Sequence, residues 1–307
     1  MLMIARLPYS IIAGVVLSFL LFWQPVQAQV NAPAFTPKPV PSWVKQYAIK
    51  LPLDTDTFDI NLPLIHSEAQ ANHAAEAYYE HYAYYITNVA GLNEISSYYT
   101  TYEPHYQQLD LHQINIYRDG KRLPLDEQLH VEFEIEGKQI GGERYDDDAK
   151  VSVYFDKAQV GDVLEVSHTT YGHQPDLHGA LHYNWRQYSW RTRGSNIYRV
   201  LAAPDQPIQY FALNNPVAPK PIQYKGLHGY ECSYHQTTKQ PGASTPDWHQ
   251  ARPRVYFYSH TSWADLNALN LKNFRLDEAP SPEIQSIVQS LTESTASTAD
   301  NINRVLQ

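Results

Sequence analysis

Hydrophobic and polar positions alternate with period two from Tyr78 to Thr87. Tyr78, Tyr82, Tyr84 and Ile86 fall on one face, and Tyr79, His81, Ala83 and Tyr85 on the other. That period predicts a strand; a helix with Tyr78, Tyr82 and Tyr85 on one side is the competing reading. Further short strands are predicted over Ser97–Tyr102, Leu109–Tyr117, Val131–Glu136, Val151–Phe155, Val163–Tyr171, Ala180–Tyr188, Asn196–Ala202, Gln209–Leu213, Gly229–His235 and Val255–His260. Asp119-Gly120, Gly141-Gly142, Gly161-Asp162, Pro216 with Pro219, and Pro241-Gly242 punctuate them as turns. Two regions break the pattern. The alanine-rich stretch 66–77 predicts the start of a helix. After Ser262-Trp263-Ala264-Asp265, a helix start with Ser262 as cap, Leu266, Leu269 and Leu271 follow, and Ile284, Ile287, Val288 and Leu291 recur at helical spacing. The expected fold is mainly β, a sandwich or barrel, with C-terminal helices.

Composition supports this class. Of 39 aromatic residues in 307, 24 are tyrosine, which fits half-buried pleated surfaces. A hydrophobic content of 43% excludes a disordered chain, and a single cysteine, Cys232, excludes a disulfide scaffold.

The first residues predict an address. Arg6 precedes an apolar run of 13 residues from Ile11 to Trp23, short against the roughly 20 of a spanning helix. Val26-Gln27-Ala28 then offers a small-residue cleavage site. Residues 1–28 thus read as a signal peptide, with an uncleaved anchor as the alternative and the only route to a membrane. Residues 29–65 form a proline-rich lead, 66–260 the β domain and 261–307 a helical segment. Once Arg6 is removed, 22 basic residues face 32 acidic ones, a net charge of −10. With no basic run, nucleic acid is an unsuitable partner. The expected location is periplasmic or extracellular.

Four phrases, in order over residues 78–270, resemble one bacterial family. They are Tyr106-Gln107-Gln108-Leu109-Asp110-Leu111-His112 running into Ile116-Tyr117-Arg118-Asp119-Gly120-Lys121; Val160-Gly161-Asp162-Val163-Leu164-Glu165-Val166; Thr170-Tyr171-Gly172-His173-Gln174-Pro175; and Trp248-His249-Gln250-Ala251-Arg252-Pro253-Arg254-Val255 continuing to Ser262-Trp263. The family is domain-of-unknown-function family 3857, the N-terminal accessory domain of exported transglutaminase-like proteins; its members usually carry asparagine where this chain has His173. The resemblance implies a β-sandwich-like domain ahead of the C-terminal helices, and a non-catalytic, accessory role for it. Its partner would be a papain-like transglutaminase domain with Cys, His and Asp, lying beyond Gln307 in cis if the chain is truncated, or supplied in trans. It also implies structural roles for Arg118, Asp119, Gly120, Gly161, Asp162, Trp248, Pro253 and Trp263. No cofactor is implied.

The residues themselves offer three chemistries. A cysteine nucleophile needs a lowered thiol pKa, whereas Cys232 lies on a predicted strand beside Glu231, with His235 at an odd offset and so on the other face. His168, His173, His178 and His182 fall within fifteen residues and are candidate ligands for zinc, copper or nickel. Tyr79, Tyr82, Tyr85, Tyr99 and Tyr102 are candidates for an aromatic surface binding peptide or cell-wall glycan, unless they serve to pack sheets. Asp146, Asp147 and Asp148 read as a solvated loop.

Overall fold

The computed structural model describes residues 36–51, 53, 55, 58–124, 130–140, 143–187, 191–235, 253–259, 262–273 and 281–291. The signal-like segment and Trp248 lie outside them. The strands are β1 (Leu64–Asn72), β2 (Ala77–Tyr85), β3 (Ser97–Tyr102), β4 (Gln108–Arg118), β5 (Lys121–Arg122), β6 (Val131–Ile140), β7 (Glu143–Tyr154), β8 (Val163–Tyr171), β9 (His182–Arg186), β10 (Thr192–Ala202), β11 (Gln209–Leu213), β12 (Lys220–Tyr224), β13 (Leu227–His235) and β14 (Arg254–Tyr258). The helices are α1 (Val89–Glu94), α2 (Trp263–Asn273) and α3 (Pro282–Leu291).

Eight strands form one sheet in the order β12-β13-β10-β1-β2-β8-β4-β5, and two three-stranded sheets have the orders β11-β14-β9 and β3-β7-β6. Among the described residues only β1 and β10 pair in parallel; the other ladders are antiparallel. The fold is mainly β with C-terminal helices, as the periodicity predicts.

Both small sheets lie over one face of the large one. The β11-β14-β9 sheet closes a core of Trp185, Val255 and Phe257 against Tyr198, Val200 and Cys232 of β10 and β13. The β3-β7-β6 sheet approaches β2 and β8, where the rings of Tyr98 and Tyr82 lie 6.1 Å apart and Thr100 meets His168 at 3.1 Å. The opposite face is crossed by the chain ahead of β1. Ile49, Leu51, Leu53 and Phe58 pack there on Ile65, Ala83 and Val163.

Three expectations need correction. The 66–77 stretch is not a helix start: β1 runs through it, and His73–Ala75 is a single 3-10 turn. Ala77–Tyr84 of β2 oppose β1 residues, with one register shift between Leu64 and His66, and that pairing overrides the helix propensity of alanine. Asp146–Asp148 lie inside β7, paired to Lys138, Gly137 and Glu136. Finally, Tyr79 is no surface ring: it is 2% exposed, because both faces of β2 are covered.

Both C-terminal helices are capped, the first by the expected Ser262 and the second by Ser281. Ser262 Oγ accepts the Asp265 N–H at 3.2 Å, and Ser281 Oγ accepts that of Ile284 at 3.3 Å. Neither helix buries its apolar side; Trp263 is 84% exposed. Among the described residues no helix is long and apolar enough to cross a membrane.

Candidate functional site

A cleft of about 320 Å³ opens on the covered face of the large sheet. Its floor is Tyr78, Glu80 and Thr170 from β2 and β8; one wall is Thr101 of β3, the other His182 and Tyr183 of β9. It therefore lies where the two small sheets fail to meet. The rings of Tyr78 and Tyr183 stack at 6.1 Å with planes 10° apart. Beside them His73 stacks on His173 at 4.4 Å, and Tyr183 Oη lies 3.4 Å from His173 Nε2.

Local geometry holds these side chains. Gly172 ends β8 at φ +108° and donates its N–H to the Glu76 carbonyl at 2.7 Å, which turns the chain and delivers His173 to the cleft. His73 Nε2 donates to the Gly179 carbonyl at 3.0 Å, so its Nδ1 is unprotonated, buried and without a hydrogen-bond partner. Burial, then the neighbouring His173, lowers the His73 pKa, and burial also lowers that of His173. Burial alone would raise Glu80, but bonds from His168 and Tyr82 outweigh it and hold the carboxyl below its ordinary range. The cleft thus offers stacked aromatic rings, the neutral imidazoles of His73 and His173, the His182 ring and two carboxylates, Glu76 and Glu80. That set suits hydrogen bonding to an extended peptide or to sugar hydroxyls.

The four histidines singled out by spacing do not converge. His168 is fully buried, its Nε2 3.1 Å from both Thr100 Oγ1 and Glu80 Oε2. His178 sits in a left-handed turn and meets Asn273 Oδ1 at 2.6 Å. His173 and His182 alone reach the cleft. Of the five tyrosines, Tyr99 is 62% exposed with Lys150 Nζ 5.2 Å from its ring centre. Tyr82 bonds Glu80, Tyr85 packs on Phe58, and Tyr102 is half-buried on β3.

Arg118 grips Asp162 through Nε at 2.9 Å and Nη2 at 2.8 Å, while Asp162 accepts the Gln159 N–H at 2.8 Å. Asp119 and Gly120 form the β4–β5 turn with φ +51° and +73°. Gly161 stands in its own turn at φ +95°, and Pro253 directly precedes β14.

Cys232 is 1% exposed in the core, and burial, then the Glu231 charge, pushes its thiol up to about 12. At neutral pH it carries over a thousand-fold less thiolate than a free cysteine of pKa about 8.5. Native protein is therefore expected to react with a thiol reagent at pH 7.5 only as it unfolds. Rapid labelling of folded chain, read by absorbance, would overturn that.

The second face of the large sheet holds a buried polar network that sequence reasoning missed. Glu68 Oε2 faces His66 Nε2 at 3.1 Å and His81 Nδ1 at 3.3 Å, and His81 Nε2 meets Glu165 Oε1 at 2.9 Å. Gln70 donates to the other Glu68 oxygen, and Asn115 and Tyr117 to the other Glu165 oxygen. Gln70 Oε1 then accepts from Arg199 Nη1 at 2.7 Å, and Arg199 Nε lies 3.3 Å from Glu231. Burial works against charge on His81, but its bonds to Glu165 and Glu68 outweigh it and push the imidazole up to about 9. A His-x-Glu pair at period two was the available signal.

Residues 73–240 match the family described as Domain of Unknown Function with solved structure, DUF3857. Among solved structures the chain is similar to a "putative protease" from Parabacteroides distasonis, with a TM-score of 0.62 at 15% identity, over 80% of this chain and 49% of that one. At this identity the likeness is one of fold, and the chain spans about half that protein's length. Native leukotriene A4 hydrolase from Saccharomyces cerevisiae matches at TM-score 0.30 and 10% identity, over 64% of this chain and 29% of that one. Legionella pneumophila aminopeptidase A matches at 0.32 and 11%, over 67% and 22%. Neither of these two likenesses carries a structural argument. No curated protein matches the sequence.

Proposed function

The chain belongs to the DUF3857 family, and on that premise we propose that it is an exported, non-catalytic interaction module that presents peptide or cell-wall glycan to a transglutaminase-like catalytic domain, in cis or in trans. The observation that carries the reading is the cleft between the two small sheets. Tyr78 of its floor stacks on Tyr183 of its wall, and the paired imidazoles of His73 and His173 stand beside them. Aromatic faces with polar tips take up sugar rings and extended peptides. The chain's own thiol stands apart from the cleft, packed in the core with its pKa raised, which suits a module that leaves the chemistry to another domain.

The test is cosedimentation of the chain with insoluble peptidoglycan, followed by calorimetry with solubilised stem peptide and glycan fragments. Wild type is expected to bind, and Tyr183→Ala to weaken binding about ten-fold, in line with an aromatic contact of roughly 1.4 kcal/mol. Tyr99→Ala, outside the lining of the cleft, is expected to bind as wild type. Failure of the wild type to bind either fragment ends the reading.

A further inference from the structure

We propose that His66, Glu68 and His81 form a binding site for one divalent transition-metal ion of the zinc class, on the face of the large sheet opposite the cleft. This is independent of ligand binding in the cleft and of the histidines around residue 173.

The site is built by strand geometry. His66 and Glu68 are two residues apart on β1 and so share a face, and His81 of β2 lies directly opposite Glu68 in the antiparallel register. Their donor atoms, one from each side chain, all lie within 4.8 Å of one another. The two separations from Glu68 Oε2, 3.1 Å to His66 Nε2 and 3.3 Å to His81 Nδ1, are near the roughly 3.3 Å between ligand atoms that each stand about 2.0–2.1 Å from a tetrahedral zinc ion. Two imidazoles and one carboxylate suit zinc better than calcium or magnesium, which take oxygen. Three protein ligands leave a position for water or a small ligand.

The surroundings point the same way. A metal-bound histidine characteristically donates its remaining ring N–H to a carboxylate, which fixes the ring. His81 Nε2 does so to Glu165 at 2.9 Å, and Glu165 is itself held by Asn115 and Tyr117. The free oxygen of Glu68 is held by Gln70, which also grips Lys45 of the crossing segment through that residue's N–H and carbonyl. His66, Glu68 and His81 are 2%, 0% and 3% exposed. In the metal-free state both nitrogens of His81 face carboxylates, so the ring must hold two protons. Metal binding displaces the one on Nδ1 and leaves the one given to Glu165.

Untagged full chain, freed of metal by dialysis against chelator, would be titrated with Zn²⁺ by calorimetry and its metal content measured by mass spectrometry. One zinc per chain is expected, with Kd tighter than about 10 µM. His66→Gln and His81→Gln should each weaken it at least about a hundred-fold, and Glu165→Gln about ten- to a hundred-fold. His182→Gln, at the other site, should leave it unchanged. Wild-type Kd weaker than about 10 µM, or tight zinc kept by a folded His66→Gln variant, overturns the proposal. Circular dichroism reports folding. Should either variant fail to fold, a zinc-soaked crystal of wild type decides: anomalous density bonded to His66, Glu68 and His81 supports the site, and density only elsewhere sinks it.

Discussion

Arg199→Ala is expected to lower the stability of the chain by about 3 kcal/mol, seen as a fall in thermal midpoint of roughly 6–12 °C. Arg199 is 1% exposed on β10 and is the cation of the buried network's outer half. Its Nη1 donates to Gln70 at 2.7 Å, and its Cζ lies 4.6 Å from the centre of the Tyr224 ring. Its Nε is 3.3 Å from Glu231 Oε2, an ion pair by distance whose N–H is not aligned for a hydrogen bond. Truncation removes the stem that fills the layer and leaves Gln70 and Glu231 short of a partner. Breaking a buried pair costs about 3–5 kcal/mol because the remaining charge is stranded. Here the low end applies. Glu231 is 21% exposed and keeps Lys45 Nζ at 3.2 Å and Tyr47 Oη at 2.7 Å. Arg199→Lys keeps the charge but loses the planar fork, and should fall between wild type and Ala. A loss under about 1 kcal/mol for Ala in urea unfolding would show that the network does not depend on this cation.

The same network explains what the amino-acid pattern could and could not reveal. Strands β2, β3, β8 and β11 are legible because their neighbours alternate or run apolar between turn residues. β1 is not. Its inward residues on the second face are His66, Glu68, Gln70 and Asn72, all buried and all polar, while Ala69 and Ala71 face the other way. A strand whose buried face is polar carries no hydrophobic period, and its alanines then read as helix. That misreading also separates His66 from Glu68, which in a helix would point about 200° apart. So a segment whose period failed supplies two members of the buried cluster, His66 and Glu68.

The histidines show the opposite error. His168, His173, His178 and His182 are close in sequence, but the chain leaves β8, turns through Gly172 and a 3-10 turn at Pro175–Leu177, and re-enters a different sheet as β9. Sequence proximity across a sheet change does not bring side chains together. Two of the four still meet at the cleft, joined by His73, whose distance in sequence hides it. The tyrosines were readable as sheet formers. That Tyr78 and Tyr183 would stack was not, since nothing local to either residue tells that β9 crosses over β2.

Gly172→Ala is expected to cost about 4 kcal/mol and to lower the thermal midpoint by roughly 8–16 °C. Two independent demands meet at this residue. Its φ of +108° is one that side chains rarely adopt, and a Cβ would stand 2.0 Å from the Tyr106 carbonyl oxygen and 3.1 Å from its carbon. Backbone cannot swing aside as a flexible side chain can. The turn between β3 and β4 must move, or the end of β8 must detach from Glu76, whose carbonyl accepts the Gly172 N–H. Gly226→Ala separates the two demands. Gly226 has φ +79° in the β12–β13 turn, but a Cβ there meets nothing within 4 Å, so only the backbone term of about 1 kcal/mol applies. Equal, small losses in the two variants would show that the approach to Tyr106 is not restrictive. A large loss confined to Gly172 carries a functional consequence too. His173 is the next residue, and its stacking on His73 forms part of the cleft. At a temperature where Gly172→Ala is still folded, its ligand affinity should fall while that of Gly226→Ala stays at the wild-type value.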